Sequence, residues 1–117
     1  MSIYSVAVNN TDTELLPFNG IDNSVPTGSR YAITTIMVCN INPPVEPDTG
    51  VTSFDLHFIR SGEPKSNVNK VVNNIILPSG ETFTFDSEKV VLDEGDRVVI
   101  VGELPTNLSA TISYLEV

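Results

Sequence analysis

The stretch that most limits the fold covers residues 81–101, Glu-Thr-Phe-Thr-Phe-Asp-Ser-Glu-Lys-Val-Val-Leu-Asp-Glu-Gly-Asp-Arg-Val-Val-Ile-Val. Phe83 and Phe85 alternate with threonines, the period of two that belongs to a strand with one buried face. Val90, Val91 and Leu92 then meet Asp93-Glu94-Gly95-Asp96. A reversal is expected there, because Gly95 can take a positive φ that a Cβ would resist. Val98, Val99, Ile100 and Val101 leave the turn as an unbroken β-branched run, the pattern of a strand covered on both faces. The expectation is strand, turn, strand at the centre of an all-β domain. Nothing in this stretch carries chemistry.

The same period and punctuation recur along the chain. Residues 3–8 place Tyr4, Val6 and Val8 on one face of a first or edge strand, residues 9–12 form a turn, and residues 13–16 a short return strand. Residues 17–29 hold Gly, Pro, Asn and Asp and read as a surface loop, with residues 25–28 turning into the next strand. Residues 30–42 are apolar on both sides: Ala32, Ile36 and Val38 against Tyr31, Ile33, Met37, Cys39 and Ile41. That pattern predicts a central strand, ended by Pro43 and Pro44. Residues 45–50 form a loop. In residues 51–60, Phe54, Leu56 and Phe58 point inward and Asp55, His57 and Ile59 outward. Residues 61–67 are a polar loop, residues 68–77 a strand interrupted by Asn69, Asn73 and Asn74, and residues 78–80 a turn. Leu108, Ala110, Ile112 and Tyr114 alternate with Ser109, Thr111 and Ser113 in a closing strand.

The expected core is Phe54, Leu56, Phe58, Phe83, Phe85, Val98, Ile100 and Ile112. Short strands between Pro, Gly and Asn turns, with no sustained 3.6-residue period, predict one all-β domain over residues 1–117. The expected architecture is a single-domain antiparallel β-sandwich, jelly-roll or Ig-like, with a closed barrel as second choice.

Composition removes several function classes. A net charge of −9 repels phosphate backbones and anionic lipid, so neither nucleic acid nor a membrane surface is an expected partner. Residues 1–5 show no basic or apolar leader pattern, so secretion is not expected. Cys39 is the only cysteine, which rules out an intramolecular disulfide and leaves the fold to its core.

His57 is the only histidine and lacks the partners that catalysis or metal binding requires, so a surface imidazole is expected. Cys39, between Met37 and Ile41 on its side of the strand, reads as a small buried hydrophobe. The acidic cluster Asp86, Glu88, Asp93, Glu94 and Asp96 invites a calcium reading. Its spacing is not that of a helix-loop-helix calcium loop, and strand alternation scatters it over two faces. A solvated turn is expected instead. The same carboxylates could serve glycoside hydrolysis, yet the chain has no tryptophan on which a sugar would stack. No catalytic residue, cofactor or metal is expected, and the chain is read as not an enzyme.

Three blocks resemble a known group of proteins. They are residues 25–40, with Val-Pro-x-Gly leading into Ala32-Ile33-Thr34-Thr35-Ile36-Met37-Val38-Cys39-Asn40; residues 78–96; and residues 108–117. Together they look like small β-sandwich virion structural proteins of tailed bacteriophages, of the type found in phages of marine bacteria and cyanobacteria. The resemblance covers about two-thirds of the chain and brings no catalytic residues. It implies a virion component made in the host cytoplasm, whose partners are other virion proteins, the major capsid protein or tail proteins. A capsid decoration (cement) protein that forms a homo-oligomer, a trimer before a dimer, is the first expectation. A tail, neck or baseplate component is the second, and a carbohydrate- or ligand-binding module the third. Ile3, Tyr4, Val6, Phe18, Ile21, Pro43, Pro44 and Val45 are the expected interaction residues, on an edge strand and two loops.

Overall fold

The computed structural model describes residues 2–104 and 107–117, without the side chains of residues 87–89. Met1 and the side chain of Glu88 in the acidic cluster therefore lie outside the described residues. Eight strands follow in order: β1 (Ser2–Val8), β2 (Thr13–Glu14), β3 (Tyr31–Asn40), β4 (Thr52–Ile59), β5 (Lys70–Leu77), β6 (Thr82–Leu92), β7 (Arg97–Gly102) and β8 (Leu108–Glu116). There is no helix among the described residues.

The strands form two four-stranded sheets, ordered β1-β8-β3-β6 and β2-β7-β4-β5, and every pairing is antiparallel. Every connection except β4 to β5 crosses from one sheet to the other. That order, with the first and last strands adjacent, is the jelly roll. It selects among the sandwiches that strand patterns alone leave open.

The core lies between the sheets. Ile36, Val38, Ala110 and Ile112 from one sheet meet Phe54, Leu56, Val98 and Ile100 from the other, all buried. Two aromatic pairs bridge the layers edge to face, Phe54 with Phe83 at 5.4 Å and Phe58 with Phe85 at 5.9 Å between ring centroids. All eight expected core residues belong to this cluster or pack against it.

β7 is central in its sheet, and its consecutive Val98, Val99 and Ile100 are all buried, as the unbroken run predicted. The reversal before it is also in place: Asp96 N–H donates to Asp93 O at 3.1 Å, and Gly95 has φ +85°. A Cβ at Gly95 would lie 2.3 Å from Ser61 Oγ, so close approach adds to the conformational demand. However, the strands flanking this turn are not a central hairpin. β6 is the edge of one sheet and β7 lies in the other, so the turn is a crossover.

Three expectations need correcting, one of face and two of exposure. A register shift in β3 between Ile33 and Thr35 inserts a residue, so Ile33 and Ile36 both face the core although an unbroken strand would put them on opposite sides. Thr34 occupies the irregularity, its hydroxyl donating to Ser113 O at 3.0 Å. On β4, His57 and Ile59 do face away from the sandwich interior, yet both are buried, His57 at 3 % exposure. His57 is no surface imidazole, because another layer of chain covers it. Cys39 is half-buried rather than core, since its face of β3 carries no such cover.

Candidate interaction surface

The strand ends gather the loops into two sets. Asn9 O accepts from Gly102 N, Ile41 N donates to Asn107 O, Gly80 N to Asn40 O and Glu103 N to Ser53 O, which joins residues 9–12, 41–51 and 78–81 with Glu103 and Asn107 at one end. At the other end, Val25 exchanges bonds with Gly95 and Asp96, and Val117 N donates to Arg30 O, joining residues 15–30 and 93–96 with the C-terminus.

Residues 41–51 form the most strongly supported projection. Asn40, fully buried at the end of β3, donates Nδ2 to Gly50 O at 2.8 Å and Leu77 O at 2.9 Å. Its Oδ1 accepts Asn42 N–H at 3.0 Å. Asp48 fixes the far limb: Oδ1 accepts Ser79 Oγ–H at 2.6 Å and Gly50 N–H at 3.0 Å, and Oδ2 accepts Ser79 N–H at 3.1 Å. The Ser79 hydroxyl, then the Ser79 and Gly50 amides, hold the Asp48 carboxyl below the ordinary carboxylate range. A Cβ at Gly50 would lie 2.4 Å from Ser79 Oγ and 2.8 Å from Asn42 Cβ, so the loop closes only with glycine there. Pro44 rests against Gly80. On this scaffold Pro43, Pro44 and Val45 stand exposed, and the same end also exposes Ile41, Val51 and Leu104. A loop fixed in this way loses little entropy when it docks.

The expected interaction residues do not converge. Pro43, Pro44 and Val45 lie at one end, and Phe18 and Ile21 at the other, exposed at 66 % and 82 %. Ile3 points outward from β1, whereas Tyr4 and Val6 turn inward and pack against the core. Reading the sequence missed Ile41, Val51 and Leu104, and also Asn40, Asp48 and Ser79, which hold the loop. An asparagine ending an apolar strand just before Pro-Pro was the available signal.

The acidic turn is occupied by its own chain. Asp93 pairs with Arg30 at 2.9 Å, and Glu94 accepts Gly28 N–H at 2.8 Å. Asp96 accepts N–H from Ser61 and Asp93, both at 2.9 Å. Among the described residues no group of three or more His, Cys, Asp or Glu is arranged to hold a metal. Beside this turn lies an open cleft of about 510 Å³, lined by Asn19, Asp22, Ser24, Ser61 and Glu94 among others. Its polar atoms serve the loop itself: Asn19 Oδ1 accepts Ile21 and Asp22 N–H, and Asn19 Nδ2 donates to Ser24 O.

A third polar group lies outside the second sheet, where Glu14, Val99, His57 and Lys70 form one row across β2, β7, β4 and β5. His57 Nδ1 meets Asn69 Oδ1 at 2.8 Å, and Lys65 pairs with Asp12 beyond the β2 edge. Residues 60–69 thus cross the outer face and cover the row. Glu14 Oε1 accepts from Arg97 at 2.8 Å while Oε2 is buried without a partner. Burial outweighs the arginine and holds the Glu14 carboxyl above its ordinary range. This layer secures the loop of residues 60–69 against the sheet.

No protein-family model matches this chain, and no curated protein matches it.

Proposed function

We propose that the protein is a structural component of a tailed-phage virion, a decoration protein that seats on the particle through residues 41–51. One observation carries this reading: a loop with an apolar tip at Pro43, Pro44 and Val45, held from beneath by Asn40, Asp48 and Ser79, stands exposed at one end of the sandwich. The three sequence blocks that resemble phage virion proteins support the class. The jelly roll is compatible with it as a fold shared by viral shells and many other proteins. No catalytic step belongs to the proposal, and the partner is another virion protein rather than nucleic acid or membrane. A carbohydrate-binding role finds less support, because Tyr31 and Tyr114 stack on each other at 4.5 Å and Tyr4 packs against the core.

The test has two arms. Labelling intact particles with an antibody against the chain separates head from neck and tail, and no label anywhere overturns the reading. Val45→Asp places a charge on the exposed loop without touching the core. It is expected to weaken binding to bare particles about tenfold or more, as burying an unpaired charge would. Unchanged binding excludes this loop as the seat.

A further inference from the structure

The two sheets have four edge strands, β1, β6, β2 and β5. An open edge exposes unpaired N–H and C=O groups, and proteins blunt such edges with brevity, charge, bulges or twisted backbone. Three of these edges are blunted. β2 has two residues, one of them Glu14. β5 carries Lys70, two register shifts against β4, and Asn74 at φ +50°. β6 carries Asp86, Glu88 and Lys89 in its sequence and a break in its ladder to β3. β1 has none of these. Its seven residues, Ser-Ile-Tyr-Ser-Val-Ala-Val, contain no charge, proline or glycine, and pair with β8 from Ser2↔Tyr114 to Val8↔Leu108 without a shift.

We infer that β1 pairs with β1 of a second copy of this chain, antiparallel across a twofold axis at Ser5, joining two four-stranded sheets into one of eight. The strand is self-complementary in that register. Ser5 faces Ser5 of the second copy, Ile3 faces Ala7, Tyr4 faces Val6 and Ser2 faces Val8. Each match keeps inward residues with inward ones, so the two cores become continuous at the seam. Charge at the seam does not oppose this occupant. Two copies each at −9 repel wherever charged surfaces meet, but β1 is neutral, and so are Ser109, Thr111 and Ser113 beside it on β8. An antiparallel self-pair closes with two chains, in contrast to the trimer that the sequence resemblance implies.

The size of the seam sets its strength. Seven residues span about 24 Å, and two sheets with their side chains are roughly 20 Å deep, giving about 500 Å² per copy. A standard interface has about 800 Å² per partner, so the pair is weak, with dissociation on the order of 10–500 µM. The inference deepens the structural role proposed above. Because purified protein tests it without particles, either can fail alone.

The experiment is sedimentation equilibrium from about 10 µM to 1 mM. The wild-type chain is expected to dimerise in this range. Ser5→Lys brings two ammonium groups together at the axis and is expected to weaken the dimer at least about tenfold. Its folding is checked by thermal melt, since Ser5 is exposed and loses one hydroxyl contact to Thr111. The double variant I3E/A7K should still dimerise, because each glutamate then faces a lysine across the axis. A wild-type chain monomeric at every concentration overturns the inference and leaves the edge to a foreign strand. A Ser5→Lys chain that dimerises as well as wild type overturns it too, and a monomeric I3E/A7K overturns the register.

Discussion

Phe54 and Phe58 sit four residues apart on the inner face of β4, each edge-on to a phenylalanine of β6, yet only Phe54 is fully enclosed. Phe54→Ala is expected to cost about 3–5 kcal/mol in a denaturant titration, and Phe58→Ala about 2–3, because a half-buried ring leaves a smaller cavity. Equal losses would show that the two ends of the core close equally well. The second residue-scale expectation concerns Asp48, whose folded-state carboxyl is held below the ordinary range, chiefly by the Ser79 hydroxyl. A carboxylate depressed on folding contributes stability above the unfolded value of about 3.9, and that contribution is lost as pH falls through the lower folded value. Asp48→Asn should therefore melt below wild type at pH 7, with the gap closing under acid; a gap independent of pH would refute the assignment. Alternation located Phe54, Leu56, Val98 and Ile100 from the sequence because period two reports which face a side chain takes. It does not report what covers that face, which is why His57 was legible as outward and not as buried.

At the scale of elements, the strands were readable and their partners were not. Proline, glycine and asparagine mark where a strand stops, but the chain placed β6 and β7 in different sheets through contacts among Val25, Asp93, Gly95 and Asp96 that no local pattern announces. The β3 irregularity was hidden for a similar reason: Thr34 is an ordinary strand residue, and only the ladders on both sides expose the shift. The projecting loop was half legible, since Pro43, Pro44 and Val45 look exposed in sequence while the buried Asn40 that fixes them looks like a strand end. Residues 60–69 give the element-scale prediction. Asn69 meets His57 through Oδ1, which also accepts Ser66 N–H, and donates Nδ2 to Pro64 O, so one side chain ties the loop to the sheet. Asn69→Ala leaves the His57 nitrogen without its partner and should cost about 1–3 kcal/mol. Trypsin should then cut after Lys65 faster than in wild type; an unchanged cleavage rate would mean that the Lys65–Asp12 pair holds the loop unaided.

The whole molecule sets a condition on how self-pairing and docking combine. Residues 41–51 project from one end of the strands, and β1 runs along their length. When two β1 strands pair antiparallel, the two copies point in opposite directions, so each end of the dimer carries one projecting loop and one acidic turn. A particle surface can then engage a single loop of each dimer, and the second copy faces away. Bivalent gain in affinity requires simultaneous engagement, which this geometry forbids. Ser5→Lys, which removes the pairing, is therefore expected to bind bare particles within about twofold of wild type, while Val45→Asp loses binding in the same assay. The comparison is made by co-sedimentation with particles at matched chain concentration. If Ser5→Lys binds about tenfold more weakly, both copies must dock together, and either the antiparallel axis or the docking end has to be reassigned. If it binds equally, self-pairing is independent of seating, and the outward copy remains free to meet whatever lies beyond the particle surface.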